Sequence, residues 1–370
     1  MQSLHSRLTR PLPQVVARTV GGTTLFELPL ASALRGHEAA LFRNGRSCCV
    51  TVLRASLART LLAAAAAAPG VSVLAGQRVA SARVSDDGRS ASVVCAESGH
   101  ERSYDLVVGA DGLRSAVRAA LLGAAAPPAP LYAGVRIAFA VVPRTTPAAE
   151  KLRPAPTQVH QWFAPGAYAL AYSAGRGLGA RDGEDAGAHC LALCWGDAAA
   201  AAENPRWDAT AVRSALLARL RAGAFPPEVL ALAAAADDRA FELGVRYHAP
   251  LPAGSWAHPS GRMLIMGDAA HAMPPFLGQG ANQAIQDAAA LASRLARVGT
   301  PQMPTLAAAA AAFEAARLGP TAALQTSSRF VGLLDTLAAP WHPLRDVALA
   351  VAGRSGIAAQ IFINGALPRV

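Results

Sequence analysis

Charge is scarce in this chain of 370 residues: 16% are Asp, Glu, Lys or Arg, against 52% that are hydrophobic. So little charge excludes a disordered, self-solvating polymer, and the length suffices to bury a sizeable core in one large or two interleaved domains. Acids are scarcer than bases, 24 against 34, which leaves a formal charge of +10 and favours anionic partners. The arginines are scattered, however, and no RNA- or DNA-binding motif accompanies them, so nucleic acid is not the expected partner. Long apolar runs are missing too. The nearest, VALAVAGRSGIAAQIFI from Val347, carries Arg354 and two glycines, and no transmembrane segment is expected. The five cysteines demand no disulfide, which makes a reducing compartment the default. Cys48 and Cys49 are adjacent, and His189, Cys190 and Cys194 form a partial ligand set. Cys190, Ala192 and Cys194 share one face of an expected strand with no second cluster after them, so no metal is expected. No acid precedes Glu27, and residues 1–26 resemble an organelle transit segment. The expected location is soluble and cytoplasmic by default, with a plastid or mitochondrion as the alternative.

What the chain does have is a pair of short apolar strands that stop on glycine. RMLIMGDAAHAMPPFLGQGANQAIQD runs from Arg262 to Asp287. MLIM reads as a buried strand, and Gly267 turns the backbone where a side chain would obstruct close approach. After Pro274 and Pro275 come Gly278 and Gly280, then a helical pattern through Ala284, Ile285, Ala288, Leu291, Ala292 and Leu295. A glycine-lined helix N-terminus therefore faces a strand end. YDLVVGADGLRSAVRAALLG (104–123) repeats the logic, with a strand over 106–108, the turn Gly109-Ala110-Asp111-Gly112, and Ser115 as N-cap of the next helix. In an open α/β sheet, ligands bind at such carboxyl ends of strands.

Around these motifs, LRASLARTLLAAAAAA (53–68) predicts a helix by propensity, and VSVLAG, VASARVS and SASVVCAES predict short strands about the turn Asp87-Gly88. A Pro-rich stretch at 126–130 leads into GVRIAFAVV, TQVHQWFAP, YALAYSAG and HCLALCWG, expected strands of a separate antiparallel sheet. Helices are expected over 208–221, 305–318 and 344–351.

Together, VVGADGLRSAVR (107–118) and GDAAHAMPPFLGQGANQAIQDAAALASRLA (267–296) resemble the class A flavoprotein monooxygenases, the family of para-hydroxybenzoate and salicylate hydroxylases and zeaxanthin epoxidase. VLRASLARTLL (52–62) is a third, weaker match. The resemblance implies an α/β fold: an incomplete Rossmann-like FAD-binding domain, in segments 1–123 and 262–370, with an antiparallel-sheet substrate domain inserted at 124–261. It implies FAD, with NAD(P)H as co-substrate, and an oxygen atom passed from O2 through a flavin hydroperoxide to a small organic substrate. Asp268, after Gly267, would accept hydrogen bonds from the ribityl hydroxyls; Gly278, Gly280 and Asn282 would bring a helix N-terminus to the pyrimidine edge. Pro274 and Pro275 would stiffen the loop beside the reacting face, Asp111 and Gly112 would lie near the pyrophosphate, and Arg54 would neutralise phosphate or meet the ribityl chain. His271 is expected to be packed and hydrogen-bonded, since the flavin supplies the chemistry. Substrate contacts by position are Gln158, His160, Trp162, Tyr168 and Tyr172. No catalytic side chain or oligomeric state follows.

The resemblance also exposes a gap: no G-x-G-x-x-G with a following acid is present. Gly21-Gly22 is too short, and Gly175, Gly177 and Gly179 have the wrong spacing. Besides the monooxygenase, a truncated, flavin-poor, non-catalytic paralogue acting as a binding module is therefore a second expectation. A dehydrogenase or halogenase on the same scaffold is a third.

Overall fold

The computed structural model describes residues 10–11, 14–43, 46–47, 49–123, 129–143, 158–175, 188–198, 205–300 and 305–367. Cys48, residues 1–9, most of the Pro-rich stretch at 126–130, Gly177 and Gly179 lie outside them. The principal strands are β1 (Gln14–Thr19), β2 (Thr24–Pro29), β3 (Val79–Val84), β4 (Ala91–Cys95), β5 (Glu101–Tyr104) and β6 (Val107–Gly109). They continue as β7 (Leu131–Pro143), β8 (Gln158–Ala164), β9 (Ala167–Ala174), β10 (Ala188–Gly196), β11 (Ala240–Tyr247) and β12 (Met263–Ile265). The principal helices are α1 (Arg54–Ala66), α2 (Ala116–Leu122), α3 (Ala209–Ala222), α4 (Pro227–Ala234) and α5 (Asp268–His271). After them come α6 (Gly280–Leu295), α7 (Leu306–Asp335), α8 (His342–Arg354) and α9 (Ile357–Ala366).

The chain divides into two compact units. One comprises residues 1–73, 134–244 and 333–367, the other residues 74–133, 245–332 and 368–370. In the first, seven strands form a sheet in the order β11-β7-β10-β9-β8-β1-β2. Its central strands alternate as the sequence predicts: one set of side chains, including Ala138, Ala140, Trp162, Leu191 and Leu193, packs on Val212, Leu216 and Leu220 of α3 and Val229 and Leu232 of α4. Asp208 starts α3 by accepting the Thr210 and Ala211 N–H groups at 3.0 and 3.1 Å.

This sheet is mixed, and the expected antiparallel one is only its larger part. β1 pairs parallel with β8, Gln14 opposite Gln158 through Thr19 opposite Phe163. Residues 14–26 of the stretch that resembles a transit segment thus lie in two strands of the sheet and the turn between them. The join is between segments about 140 positions apart, which no local pattern announces.

In the second unit, β6 and β12 run parallel, Val107 opposite Met263 and Gly109 opposite Ile265. Within this unit they are the parallel pair among the described residues. β3, β4 and β5 form a separate antiparallel sheet in the same unit. Of the three strands expected about Asp87-Gly88, residues 71–76 are irregular, and β5 takes the third place. Val107, Val117, Trp256, Met263, Leu264, Ile265, Ala290, Leu291 and Phe313 make the core.

α7 runs through Gly319-Pro320, where the sequence predicts a stop. Near the missing proline N–H, the Thr321 hydroxyl donates to the carbonyls of Arg317 and Leu318 at 2.8 and 3.2 Å. No single helix among the described residues is long and apolar enough to cross a membrane.

Candidate functional site

Both glycine turns lie in the second unit, side by side at the carboxyl ends of β6 and β12. The Met266 N–H donates to the Gly109 carbonyl at 3.0 Å and so extends the parallel pairing to the turn. Gly109 is required by close approach: a Cβ there would stand 2.6 Å from Val117 Cβ, inside α2. Arg118, the last residue of the first motif, is buried and donates from Nη1 to the carbonyls of Ala269 and Ala270 at 2.8 and 3.1 Å. It ties one motif to the other, and burial pulls its pKa down.

Gly267 has φ +58 and ψ −143, a backbone that L side chains rarely adopt. Its N–H donates at 2.9 Å to Oδ2 of Asp287, twenty residues on in α6. The same oxygen receives His271 Nε2 at 2.6 Å, while Oδ1 receives Arg317 Nε at 2.7 Å. Arg317 also reaches Gln283 Oε1 at 2.6 Å and Gln286 Oε1 at 3.0 Å. Asp287, His271 and Arg317 are each 0% exposed. Burial by itself would raise the Asp287 carboxyl, but the bonds and charge of His271, the Arg317 bond and the Gly267 N–H outweigh it, holding it below the usual carboxylate range. His271 is the packed, hydrogen-bonded histidine that the sequence predicts, stacked at a tilt 5.4 Å from Trp256.

The outcome of this clamp is the placement of Asp268. Its neighbour in the turn is locked inward, and Asp268 itself is exposed and accepts no hydrogen bond from the described residues. Gly280 opens the 16-residue helix α6 facing it: a Cβ on Gly280 would lie 3.9 Å from Asp268 Oδ1. The first N–H groups of α6 have no acceptor within the helix, so a lone carboxylate and an open helix N-terminus face the same side. Asn282, exposed, donates from Nδ2 to Gln279 Oε1 at 3.1 Å. Pro274 is buried and Pro275 exposed, and Gly278, with φ +64, ends the turn that follows them.

Asp111 stands differently. Its carboxylate accepts the Ser115 hydroxyl at 2.5 Å and the Ala116 and Val117 N–H groups at 2.8 and 3.3 Å. Ser115 in turn accepts the Arg118 N–H at 2.8 Å, as its predicted N-cap role requires. Asp111 is thus committed to starting α2, with half-buried Gly112 beside it. Arg54 belongs to the other unit, where it is the exposed first residue of α1.

The five candidate substrate contacts divide between two faces of the large sheet. Gln158, His160 and Trp162 share the α3/α4 face, where His160 stacks 5.6 Å from Trp162 and burial, aided by Arg18, pulls its pKa to about 4. Tyr168 and Tyr172 point to the other, opposite Cys194 and Cys190 in register. Burial pushes both thiols up to about 12.

The sequence missed Arg317, Gln283, Arg118 and Glu314 as parts of this framework. Glu314 accepts the Gly254, Ser255 and Trp256 N–H groups at 2.6, 3.1 and 3.3 Å. Its spacing of three from Arg317 was the available signal, since two buried charges on one helix face need partners.

Residues 17–151 and 255–307, about half of the chain, match the family model described as an FAD binding domain. The chain belongs to that family. It is 30% identical over 217 residues to 6-methylsalicylate 1-monooxygenase of Aspergillus terreus, a match covering 55% of this chain and 42% of that enzyme. It is 53% identical over 68 residues to kynurenine 3-monooxygenase of Xanthomonas axonopodis, covering 18% and 14%. The chain thus matches less than half the length of either curated relative. Among solved structures, Klebsiella pneumoniae HpxO complexed with FAD and uric acid superposes with a TM-score of 0.75 at 23% identity, over 98% of this chain and 83% of that one. A salicylate hydroxylase substrate complex gives 0.68 at 18% identity, over 98% and 85%. These two likenesses establish the fold.

Proposed function

We propose that this chain acts as an FAD-dependent monooxygenase, a hydroxylase or epoxidase that uses NAD(P)H and O2 on a small organic substrate. The observation that carries the proposal is the exposed carboxylate of Asp268, which accepts no hydrogen bond from the described residues and faces the open N-terminus of α6. That donor set suits FAD: a carboxylate accepts bonds from neutral ribityl hydroxyls, and helix N–H groups favour the negative charge of a reduced flavin. Gly278, Gly280 and Asn282 would hold the pyrimidine edge, Pro274 and Pro275 would line the ring, and Gly112 would leave room for pyrophosphate beside Asp111. Arg54 is assigned to phosphate or the ribityl chain on the resemblance alone. Bound FAD would supply hydride acceptance from NAD(P)H and the activation of O2. The chain's share is to orient the cofactor and keep water from it. The unit with β6 and β12 takes the role of FAD-binding domain, and the seven-stranded sheet that of substrate domain. The monooxygenase names of the curated relatives support this reaction class.

The test is a visible spectrum of the purified chain after incubation with excess FAD and removal of the unbound excess. Wild type should retain a protein-bound flavin spectrum, and Asp268→Ala should bind FAD about 10- to 100-fold more weakly, the worth of a hydrogen bond to a charged group. A folded wild-type chain that retains no flavin overturns the proposal and favours a non-catalytic binding module. Equal retention by Asp268→Ala removes that residue from the site.

A further inference from the structure

α7 carries polar residues on a face that solvent does not reach. Arg317, Thr321, Gln325 and Ser328 recur at helical spacing and are 0%, 0%, 3% and 0% exposed. Buried polar groups persist only when hydrogen-bonded, so each needs a partner. Arg317 serves Asp287, and Thr321 bonds within its own helix. Of the other two, Ser328 reaches the loop after α5, and Gln325 bridges that loop to the residue that follows β11. Gln325 Nε2 donates to the Ala272 carbonyl at 3.3 Å and the His248 carbonyl at 2.9 Å, and Ser328 Oγ donates to the Pro274 carbonyl at 2.6 Å. One turn further, Gly332 admits the Phe276 ring: a Cβ there would lie 2.0 Å from Phe276 Cε2. Alternate residues 272, 274 and 276 are therefore held by successive turns of one helix.

The chemistry of the loop explains the donors. Pro274 and Pro275 have no N–H, so the backbone there offers carbonyls alone; the Ala272 carbonyl takes the His248 N–H at 3.1 Å as well as Gln325, and the Pro274 carbonyl takes the Ser328 hydroxyl. With the carbonyls of 272 and 274 drawn onto α7, Pro275 and Gly278 are left exposed.

We propose that Gln325 and Ser328 are positioning residues for the flavin: by fixing Ala272 and Pro274 they set how Pro275 and Gly278 are presented to the ring, and so tune its environment without touching it. The inference rests on the reading that this unit binds FAD, and two measurements separate the two. Hydrogen exchange of residues 273–279 in the full chain reads the anchor without cofactor. The absorption maxima and midpoint potential of bound FAD read its consequence. Ser328→Ala and Gln325→Met should each speed exchange of the loop about fivefold, the worth of one hydrogen bond, and shift the flavin maxima and potential. Ser328→Thr should restore both, and Thr321→Val, on the same stripe but off the loop, should leave the loop unchanged. Should Ser328→Ala fail to fold, Ser328→Cys keeps the shape with a weaker donor. Loop exchange unchanged in folded variants overturns the anchor. Faster exchange with an unmoved flavin spectrum and potential overturns the positioning role. A wild-type chain that binds no FAD, whatever its exchange, overturns the proposed function and this inference with it.

Discussion

Replacing Asp287 by Asn changes almost no volume and removes one charge, which makes it a direct test of the clamp behind Gly267. Asp287 Oδ2 accepts from Gly267 N and His271 Nε2, and Oδ1 from Arg317 Nε, at 2.9, 2.6 and 2.7 Å. An asparagine must place its NH2 at one of these positions and set a donor against a donor. Arg317, 0% exposed, also loses the carboxylate that balances it. Breaking one side of a buried ion pair costs about 3–5 kcal/mol. At 2–4 °C per kcal/mol for units of this size, the melting temperature should fall by roughly 6–20 °C. Thermal unfolding followed by circular dichroism at pH 7 measures it. The double variant Asp287→Leu with Arg317→Met removes both charges into an apolar space, and it should lose less than the two single changes added together. The pH dependence has a definite sign. The folded carboxyl lies below its unfolded value of about 3.9, so its stabilisation is present above that pH and is lost as pH falls through the folded value. The gap between wild type and Asp287→Asn should therefore narrow below about pH 4. A gap under about 2 °C at pH 7, or strictly additive single changes, would refute the clamp.

Two further outcomes concern other carboxyls. Asp111→Ala should cost about 0.5–2 kcal/mol by uncapping α2, read as a lower melting temperature; unchanged melting would remove the capping role, and a loss of FAD retention in a folded sample would place the carboxylate on the cofactor as well. Asp335, 4% exposed at the C-terminal end of α7, has its pKa raised to about 7 by burial, with Arg345 opposing. A helix C-terminus adds to the cost of its negative charge. Below about pH 7 this acid stays protonated in the fold, so the fold loses stability as pH climbs from the unfolded value toward 7 and loses no more above, where both states are ionised. Asp335→Asn should therefore raise the melting temperature more at pH 8 than at pH 4.5, and an equal effect at both would show that the carboxyl is not held neutral.

The sequence made legible what is local. A short apolar run ended by glycine is a strand and a turn because few other residues tolerate φ +58 at Gly267 or the contact with Val117 at Gly109. Ser115 caps α2 as the sequence predicts, and the helix expected from Asp208 begins one residue later with Asp208 as its cap. What stayed hidden lies between distant elements: β1 beside β8, and Asp287 with Arg317 thirty residues on. Gly319-Pro320 reads as a stop, yet α7 continues because its far half is anchored by tertiary contacts that outweigh one lost backbone bond.

The same helix shows why the site's support was harder to read than the site. Asp268 announces itself by a motif, since a carboxylate after a glycine at a strand end has few structural uses. Arg317, Thr321, Gln325 and Ser328 on an alanine-rich helix read as a solvent face, because polar residues at helical spacing ordinarily are one. What reverses the reading is the loop opposite. Two prolines deprive it of N–H groups, the Pro274 carbonyl takes its donor from Ser328, the Ala272 carbonyl takes Gln325 beside the His248 N–H, and a polar stripe becomes an interior face. Polarity on a helix therefore marks burial as well as exposure wherever a proline pair packs against it, and the pairing of the two features across some fifty residues carries the information that neither segment holds alone.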